Sequence, residues 1–377
     1  MANTLTETVP KLLAQGLLAL RQMAIMPQLV NRRYEVLAGR QGSTIDVPIP
    51  SAITAQAVSP AATPPSTADI APTSVAIPLD QWYEAPFYLT DKDMLEIQDG
   101  TIPMVASEAV KSLANNVDIF LLTLGKKFYG VAGVAGTTPF GNEKTTDASS
   151  LRTVLNKQLA DMDPRHVVLS PEAEGSALNV RAFQDASFGG GVQALLQGNL
   201  NNKLGFRWWM DQNVLTHTAG TGANYLTNVA TAITAGSKTI TVDTGTGTIL
   251  VGDIITFATH TQTYVVTSAL AANVFSIEPG LVVAVANNVA ILAPGDTGGV
   301  GTHVLNLGFH RDAIAFATRP LEGSSHPGSI IDAATDPISG LTLRLEVTRE
   351  HKRDRFSFDI LYGGEVVRRE LGARLLG

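Results

Sequence analysis

The residues that could carry out chemistry are few and scattered in this sequence of 377 residues. The stretch from Gly136 to Lys144 has the glycines and the lysine of a phosphate-binding loop, but two residues separate Gly141 from that lysine. In nucleotide-binding loops the two are adjacent, so that the lysine reaches the β- and γ-phosphates. The spacing therefore argues against nucleotide binding.

Histidine, acidic residues and cysteine give no stronger candidate. No two of the seven histidines have metal-ligand spacing, and a predicted strand separates His303 from His310. Asp91 and Asp93 could form a carboxylate pair, but they precede an apolar helical run, where acidic residues favour the positive helix end. The chain has no cysteine, which excludes disulfides and thiol nucleophiles. We expect no enzyme, no cofactor and no metal.

The composition indicates a protein that covers its surface with copies of itself. Apolar residues make up 45% of the chain and charged residues only 16%, with a mean hydropathy of +0.14. Contacts between obligate subunits resemble a domain core cut in half; a large, well-packed interior is the alternative reading. No apolar run reaches the roughly 20 residues of a membrane span. The net charge of −7 argues against a nucleic-acid reader, although residues 1–40 carry five basic and two acidic groups.

The most regular pattern runs from Met104 to Gly130 and predicts one long helix, the spine helix. At 1.5 Å per residue it would be roughly 40 Å long, and it needs a sheet packed against it. Ile119 and Leu121 are expected to widen the apolar side, whereas Asp118 is expected to lie off it. The apolar stripe advances in steps of three and four through Ala106, Val110, Leu113, Val117, Phe120, Leu124 and Phe128.

The segments before this helix predict an arm and a ribbon. Residues 3–37 read as amphipathic helical pieces that must dock on something to be ordered. Residues 41–90 predict two strands around a tip rich in Ala, Pro, Ser and Thr. A lone ribbon is marginal in water, so we expect this one to lie on a neighbouring molecule, with a surface loop as the alternative. The candidate contact residues are Arg32 and Arg33 of the basic arm, Ile45, Val47, Ile49, Val75, Ile77 and Leu79 of the ribbon, and Trp82. We expect Trp82 to pack near the base of the ribbon together with Tyr83, Phe87 and Tyr88.

The rest of the chain predicts an α/β domain, an insertion and a closing hairpin. Asp147 looks like the N-cap of a helix, a short strand follows at 167–169, and Ser170 begins another helix. Between 220 and 295, charges nearly vanish and short alternating strands predict an inserted all-β barrel or sandwich. Alternation at 341–347 and 356–360 predicts a hairpin that the spine helix covers.

The order of these parts resembles a tailed-bacteriophage major capsid protein, and most closely the coat proteins of short-tailed Salmonella-type phages. The motifs that carry the resemblance are spread over nearly the whole chain: Leu113-Ala-Asn-Asn-Val117, Gly198, Gly205-Phe206, Gly252-Asp253, Phe309-His-Arg-Asp-Ala313, Ala317-Thr-Arg-Pro-Leu321 and Leu361-Tyr-Gly-Gly364.

The resemblance implies the α+β fold shared by tailed-phage and herpesvirus shells, the Hong Kong ninety-seven type. Its parts would be an N-terminal arm (1–40), an extended loop (41–90), a peripheral domain with the spine helix (91–140 and 330–377), an axial domain (141–219 and 296–329) and the inserted β-barrel (220–295). Pentamers and hexamers would form an icosahedral shell around double-stranded DNA, assembled in the host bacterial cytoplasm and retained in the virion.

The resemblance also implies partners. No lysine lies between Lys11 and Lys92, so the lysine–asparagine bond that locks some shells of this fold is not available through the extended loop. The chain starts directly at the arm, so a separate scaffolding protein is expected, with the basic arm as a docking site. A portal protein and a cement protein are further expected partners; no membrane is expected.

Three other readings stay open at this point. An encapsulin has the same fold but encloses an enzyme. A secreted or cell-surface β-rich adhesin would explain the Thr- and Gly-rich strands. An unrecognised hydrolase would need polar residues that this sequence does not cluster.

Overall fold

The computed structural model describes residues 12–14, 16–17, 24–34, 44–49, 60, 72–92, 101–142, 145–184, 200, 202–321, 329–336 and 340–377, with the backbone alone for 101–104. The predicted helical run after Asp93, the ribbon tip apart from Pro60 and Pro72, Lys144 and Gly198 lie outside these residues. The α-helices are α1 Met26–Leu29, α2 Thr101–Leu124, α3 Thr146–Lys157, α4 Pro171–Leu178 and α5 Arg181–Gln184. The strands are β1 Thr44–Ile49, β2 Thr73–Pro78, β3 Gln81–Thr90, β4 Gly130–Gly133, β5 Arg165–Leu169, β6 Asn202–Lys203, β7 Phe206–Met210, β8 Thr216–His217, β9 Tyr225–Thr227, β10 Thr239–Asp243, β11 Ile254–Phe257, β12 Thr263–Ala271, β13 Val274–Glu278, β14 Ala290–Leu292, β15 His303–His310, β16 Ile314–Arg319, β17 Ser329–Thr335, β18 Thr342–Glu350, β19 Arg353–Val366 and β20 Gly372–Leu376.

The spine helix is α2, and a short 3-10 turn, Gly125–Lys127, extends it. The predicted stripe faces the core, with Val110 and Val117 fully buried. The prediction for Ile119 is wrong, because this side chain is 36% exposed. It lies two residues, about 200° of rotation, beyond Val117, and therefore points away from the stripe.

The spine helix packs on a five-stranded antiparallel sheet, the peripheral sheet. Its strand order is β16-β19-β18-β17, and β3 pairs with β19 as well. The predicted hairpin is β18 and β19, which turn at His351 and Lys352. Phe120 of α2 meets the ring of Tyr362 edge-on, with ring centroids 5.4 Å apart.

The arm docks on the other side of the spine helix. Met26 and Leu29 of α1 are buried in the same core as the helix stripe. The expectation that Asp118 lies off the buried side is wrong, because the arm covers it and its exposed fraction is 0%. The helix is therefore covered on two sides, by the peripheral sheet and by the arm.

A second, mixed sheet, the axial sheet, has the order β4-β20-β15-β5-β7-β6, with β8 on β15. Helix α3 packs on one of its faces, where Leu151 approaches Gly308 of β15. Ser170 caps α4 as predicted, since its hydroxyl accepts from Ala173 N. The prediction for Asp147 is wrong. It lies in the first turn of α3, after the N-cap position, and its carboxylate accepts from Phe140 N at 2.7 Å.

Residues 225–292 hold a closed barrel in the order β10-β13-β12-β11-β14-β9. Alternate residues of its strands fill the interior, among them the fully buried Ile240, Val242 and Phe257. The barrel has a core of its own, separate from the core that joins the spine helix to both sheets.

Candidate assembly surfaces

The ribbon begins as an antiparallel pair, β1 and β2, in which Ile45 faces Ile77 and Val47 faces Val75. The two strands and their alternation are as predicted. Just beyond β2 the chain crosses β19 so closely that a Cβ on Gly363 would lie 1.9 Å from Pro78 O. The first glycine of the motif Leu361-Tyr-Gly-Gly364 therefore makes room for the ribbon.

The apolar side of the ribbon base is covered by the same chain. Ile45, Val47, Ile77 and Leu79 form a small buried cluster with Ala315 and Ala317 of β16. The expectation that these four side chains contact a neighbouring molecule is therefore corrected for the base of the ribbon. The physical reason is that β16 is an alanine-containing strand whose small side chains leave space for the ribbon's branched ones.

Further along the ribbon, the apolar side chains are no longer part of the buried cluster on β16. Ile49 and Val75 are half-buried and line a cleft of about 600 Å³ between the ribbon, the barrel and the peripheral sheet. The ion pairs Lys238–Glu278 (2.7 Å) and Lys127–Glu365 also border it. The ribbon base thus lies on its own body, whereas Ile49 and Val75 face an open cleft.

Strand β3 is an exposed edge of the peripheral sheet. It pairs with β19 from Gln81 to Thr90, and no strand of the described residues pairs with its other edge. The exposed fractions are 62% for Trp82, 42% for Tyr83 and 46% for Tyr88. Of the four aromatic residues predicted to pack at the ribbon base, Phe87 stacks on Phe356 with ring centroids 5.1 Å apart, and Tyr83 stacks on Tyr362 at 6.1 Å. A long edge that carries exposed aromatic rings is typical of an interaction surface.

The end of the arm lies beside the ribbon base. Asn31 bridges to Ala315, and its amide donates to Asp312 Oδ1 at 2.6 Å. Tyr34 packs against the buried cluster of the ribbon base. Arg33 is exposed, whereas Arg32 is half-buried and its Nη1 has no hydrogen-bond partner. The structure therefore places the end of the arm and the base of the ribbon side by side on β16.

The junction between barrel and body is polar and buried, and it was not found from the sequence. Arg374 of β20 is fully buried and donates to Gly252 O at 2.7 Å and to Lys126 O. Asp253 accepts from His217 Nε2 at 3.0 Å and from Leu250 N at 2.7 Å. Burial lowers the pKa of Arg374 to about 9, against the opposing effect of Asp253. These bonds fix the barrel to the axial sheet.

The same junction holds His303, which is 2% exposed and whose Nδ1 contacts Gly301 O at 2.8 Å. Burial lowers its pKa to about 4, and the nearby Arg374 adds to this. The sequence pattern of a strand such as Gly372–Leu376 does not show whether its arginine, Arg374, is buried or lies at the surface. The only sequence signal here was the Gly252-Asp253 motif.

The residues considered for chemistry are not brought together. Asp91 forms a surface ion pair with Arg349 at 2.6 Å, and the hydrogen bond from Arg349 lowers its pKa. His310 Nδ1 accepts from Asp312 N, a local turn contact. Across the part of the chain that the structure describes, no group of three or more His, Asp or Glu side chains could hold a metal ion. None of the described helices is long and apolar enough to cross a membrane.

Comparison with solved structures places the fold. A structure from Mycobacterium phage Che8 superposes with a TM-score of 0.55 at 16% identity, over 93% of this chain and 90% of that chain. The two chains share one fold. A capsid structure of the cyanophage P-SCSP1u gives a TM-score of 0.48 at 12% identity over 89% and 83%. A Gordonia phage Cozz structure gives 0.48 at 10% over 93% and 85%. No protein-family model and no curated protein sequence matches the chain.

Proposed function

We propose that this chain is a structural, non-enzymatic shell protein: the major capsid protein of a tailed bacteriophage. The observation that carries the proposal is the fold shared with a phage structure over 93% of this chain and 90% of that one. Such coverage extends over most of both chains and is not confined to one domain. The motif resemblance to tailed-phage coat proteins supports the same assignment.

The fold in this proposal is the Hong Kong ninety-seven type, with the barrel as an insertion in the axial domain, as in short-tailed Salmonella-type phages. The barrel's separate core and its buried polar attachment at Arg374 support its treatment as an inserted unit. Because these attachment contacts lie within one chain, the barrel's place relative to the axial sheet is set within each subunit before assembly.

The packing of the ribbon base on β16 supports a division of the ribbon in the proposed shell. In this proposal the base of the ribbon stays on β16 of its own chain, and residues beyond Ile49 and Val75 contact the next copy. Trp82 on the edge of β3 and Arg33 on the arm remain accessible for contacts. One such contact of micromolar affinity is worth roughly 8 kcal/mol. Many weak contacts per subunit let misplaced copies leave and still hold a closed shell together.

In the proposed setting, pentamers and hexamers form an icosahedral shell around double-stranded DNA, without sequence-specific contacts. A separate scaffolding protein guides assembly in the host bacterial cytoplasm, a portal protein occupies one vertex, and a cement protein can bind outside. The mature shell is part of the virion.

Electron microscopy of the expressed full chain, alongside a variant lacking residues 54–72, tests the proposal. The full chain is expected to form curved or closed shells built from pentamers and hexamers. The variant should give a soluble subunit with the same circular-dichroism spectrum and no shells. A full chain that stays monomeric at every concentration, or a deletion variant that forms normal particles, would contradict the proposal. Particles that enclose an enzyme instead of DNA would indicate an encapsulin.

A further inference from the structure

The spine helix contains an acidic residue where an apolar one is expected. Asp118 is 0% exposed, and its two carboxylate oxygens accept from Ile25 N at 3.1 Å and from Met26 N at 3.0 Å. These N–H groups stand at the start of α1, which has no side-chain cap of its own. Helix starts leave such groups without partners. Asp118 therefore supplies the missing cap of the arm from a residue 92 positions along the chain.

A second buried acid acts on the same place from the axial sheet. Asp211, directly after β7, is 2% exposed. Its Oδ1 accepts from Asn213 N at 2.8 Å, whereas its Oδ2 has no hydrogen-bond partner. Asn213 also donates to Asn115 of the spine helix at 3.3 Å, which holds this loop one turn away from Asp118. Three separate parts of the fold, the arm, the spine helix and the axial sheet, thus meet around two carboxyl groups.

The electrostatics at this junction disfavour two negative charges. Burial, followed by repulsion from Asp211, raises the pKa of Asp118 to about 8, against the lowering effect of the two backbone donors. Burial also raises the pKa of Asp211. Among the described residues, the charged group that acts on Asp118 is Asp211, whereas Asp211 itself interacts with the backbone and the side chain of Asn213. Within the same part of the chain, no cation neutralises either acid. Two buried carboxyl groups that repel each other and lack a cation are disfavoured as a doubly charged pair, so the pair keeps one proton.

We propose that Asp118 and Asp211 form a proton-dependent latch that holds the arm against the spine helix and the axial sheet. In the closed latch the pair keeps one proton, and Asp118 caps α1. Loss of that proton to water leaves two buried charges that repel each other. Release of the arm then relieves their repulsion, because it exposes Asp118 to solvent.

The sign of the pH effect follows from this arrangement. The docked arm holds a proton that the undocked arm, with an ordinary carboxyl pKa near 4, gives up. Docking is therefore strongest at low pH, weakens as the pH rises towards 8, and is constant above it. One coupled proton allows a change of up to about tenfold per pH unit in that interval.

Hydrogen exchange of the Ile25 and Met26 amides in the full chain, corrected for intrinsic exchange, measures this docking. In the natural chain, their protection is expected to fall between pH 6 and pH 8. Asp118→Asn should lower the protection and abolish its pH dependence. Asp211→Asn removes the like charge and should also reduce the slope, and it leaves the capping carboxylate in place if the Asp118 variant does not fold.

Asp312→Asn is the matched control, because Asp312 also binds the arm, through Asn31, but is half-exposed. This variant should keep the slope of the natural chain. A natural chain without the slope would overturn the latch, as would a slope that persists in the Asp118 and Asp211 variants alike. The readout is made on the isolated subunit, so its outcome is independent of shell formation.

Discussion

The small cluster beneath the ribbon offers a direct test of how the ribbon is positioned. Ile77 is 0% exposed and packs with Val47 against β16, and the cluster is separate from the main core. Replacing a buried isoleucine by alanine typically costs 2–5 kcal/mol. Because the cluster joins the ribbon to the body and little else, the loss should fall on ribbon docking, with the body left folded.

Hydrogen exchange of the β1 and β2 amides is the assay. A loss of about 2 kcal/mol corresponds to roughly 30-fold faster exchange in Ile77→Ala, at 1.36 kcal/mol per factor of ten. Val75→Ala is the matched control, since Val75 is only half-buried on the same strand; its exchange should change by less than about fivefold. Equal effects of the two substitutions, or unchanged exchange in Ile77→Ala, would refute the packing of the ribbon base on its own body.

Three further predictions concern the junction and the exposed edge. Arg374→Ala leaves buried carbonyls without a donor and should lower the free energy of unfolding in urea by about 2–5 kcal/mol; a loss below 1 kcal/mol would show that the junction does not depend on it. The pKa of His303 is lowered to about 4, so the folded chain resists a proton that the unfolded chain binds below pH 6.5, and stability should fall between pH 6.5 and 4. His303→Gln should reduce that fall in urea unfolding measured at pH 7 and pH 5; an unchanged fall would assign it to other groups. Trp82→Ala should shift the free energy of unfolding by less than about 1 kcal/mol yet reduce the yield of shells seen by electron microscopy; a normal yield would remove Trp82 from the contact surface.

The elements that could be predicted are those whose apolar residues repeat with a single period and bury a single face. The spine helix has a single apolar stripe, and the strands of the ribbon, hairpin and barrel alternate cleanly, so their existence followed from the sequence. The errors at Ile119 and Asp118 have different causes: Ile119 points away from the apolar stripe, whereas Asp118 is covered by the arm. A helix covered on two sides buries residues that a one-stripe model leaves outside, and it was the arm, distant in sequence, that covered the second side.

The assembly surfaces were harder to predict for a similar reason. Alternation identifies the apolar side of a ribbon but not the molecule that covers it, and in the structure β16 of the same chain covers the base. Arg374 shows a second limit of prediction from the sequence. Its burial depends on carbonyl groups of Gly252 and Lys126, more than 120 residues away, and no local pattern reports such partners.

A reconstruction of assembled particles by electron cryomicroscopy tests the central claim most directly, because it shows which molecule the outer ribbon touches. The account predicts pentamers and hexamers in which residues 50–72 of each copy lie on a neighbouring copy, while Ile45, Val47 and Ile77 stay on β16 of their own chain. Residues 50–72 folded back on the same chain, with no contact to a neighbour, would contradict it.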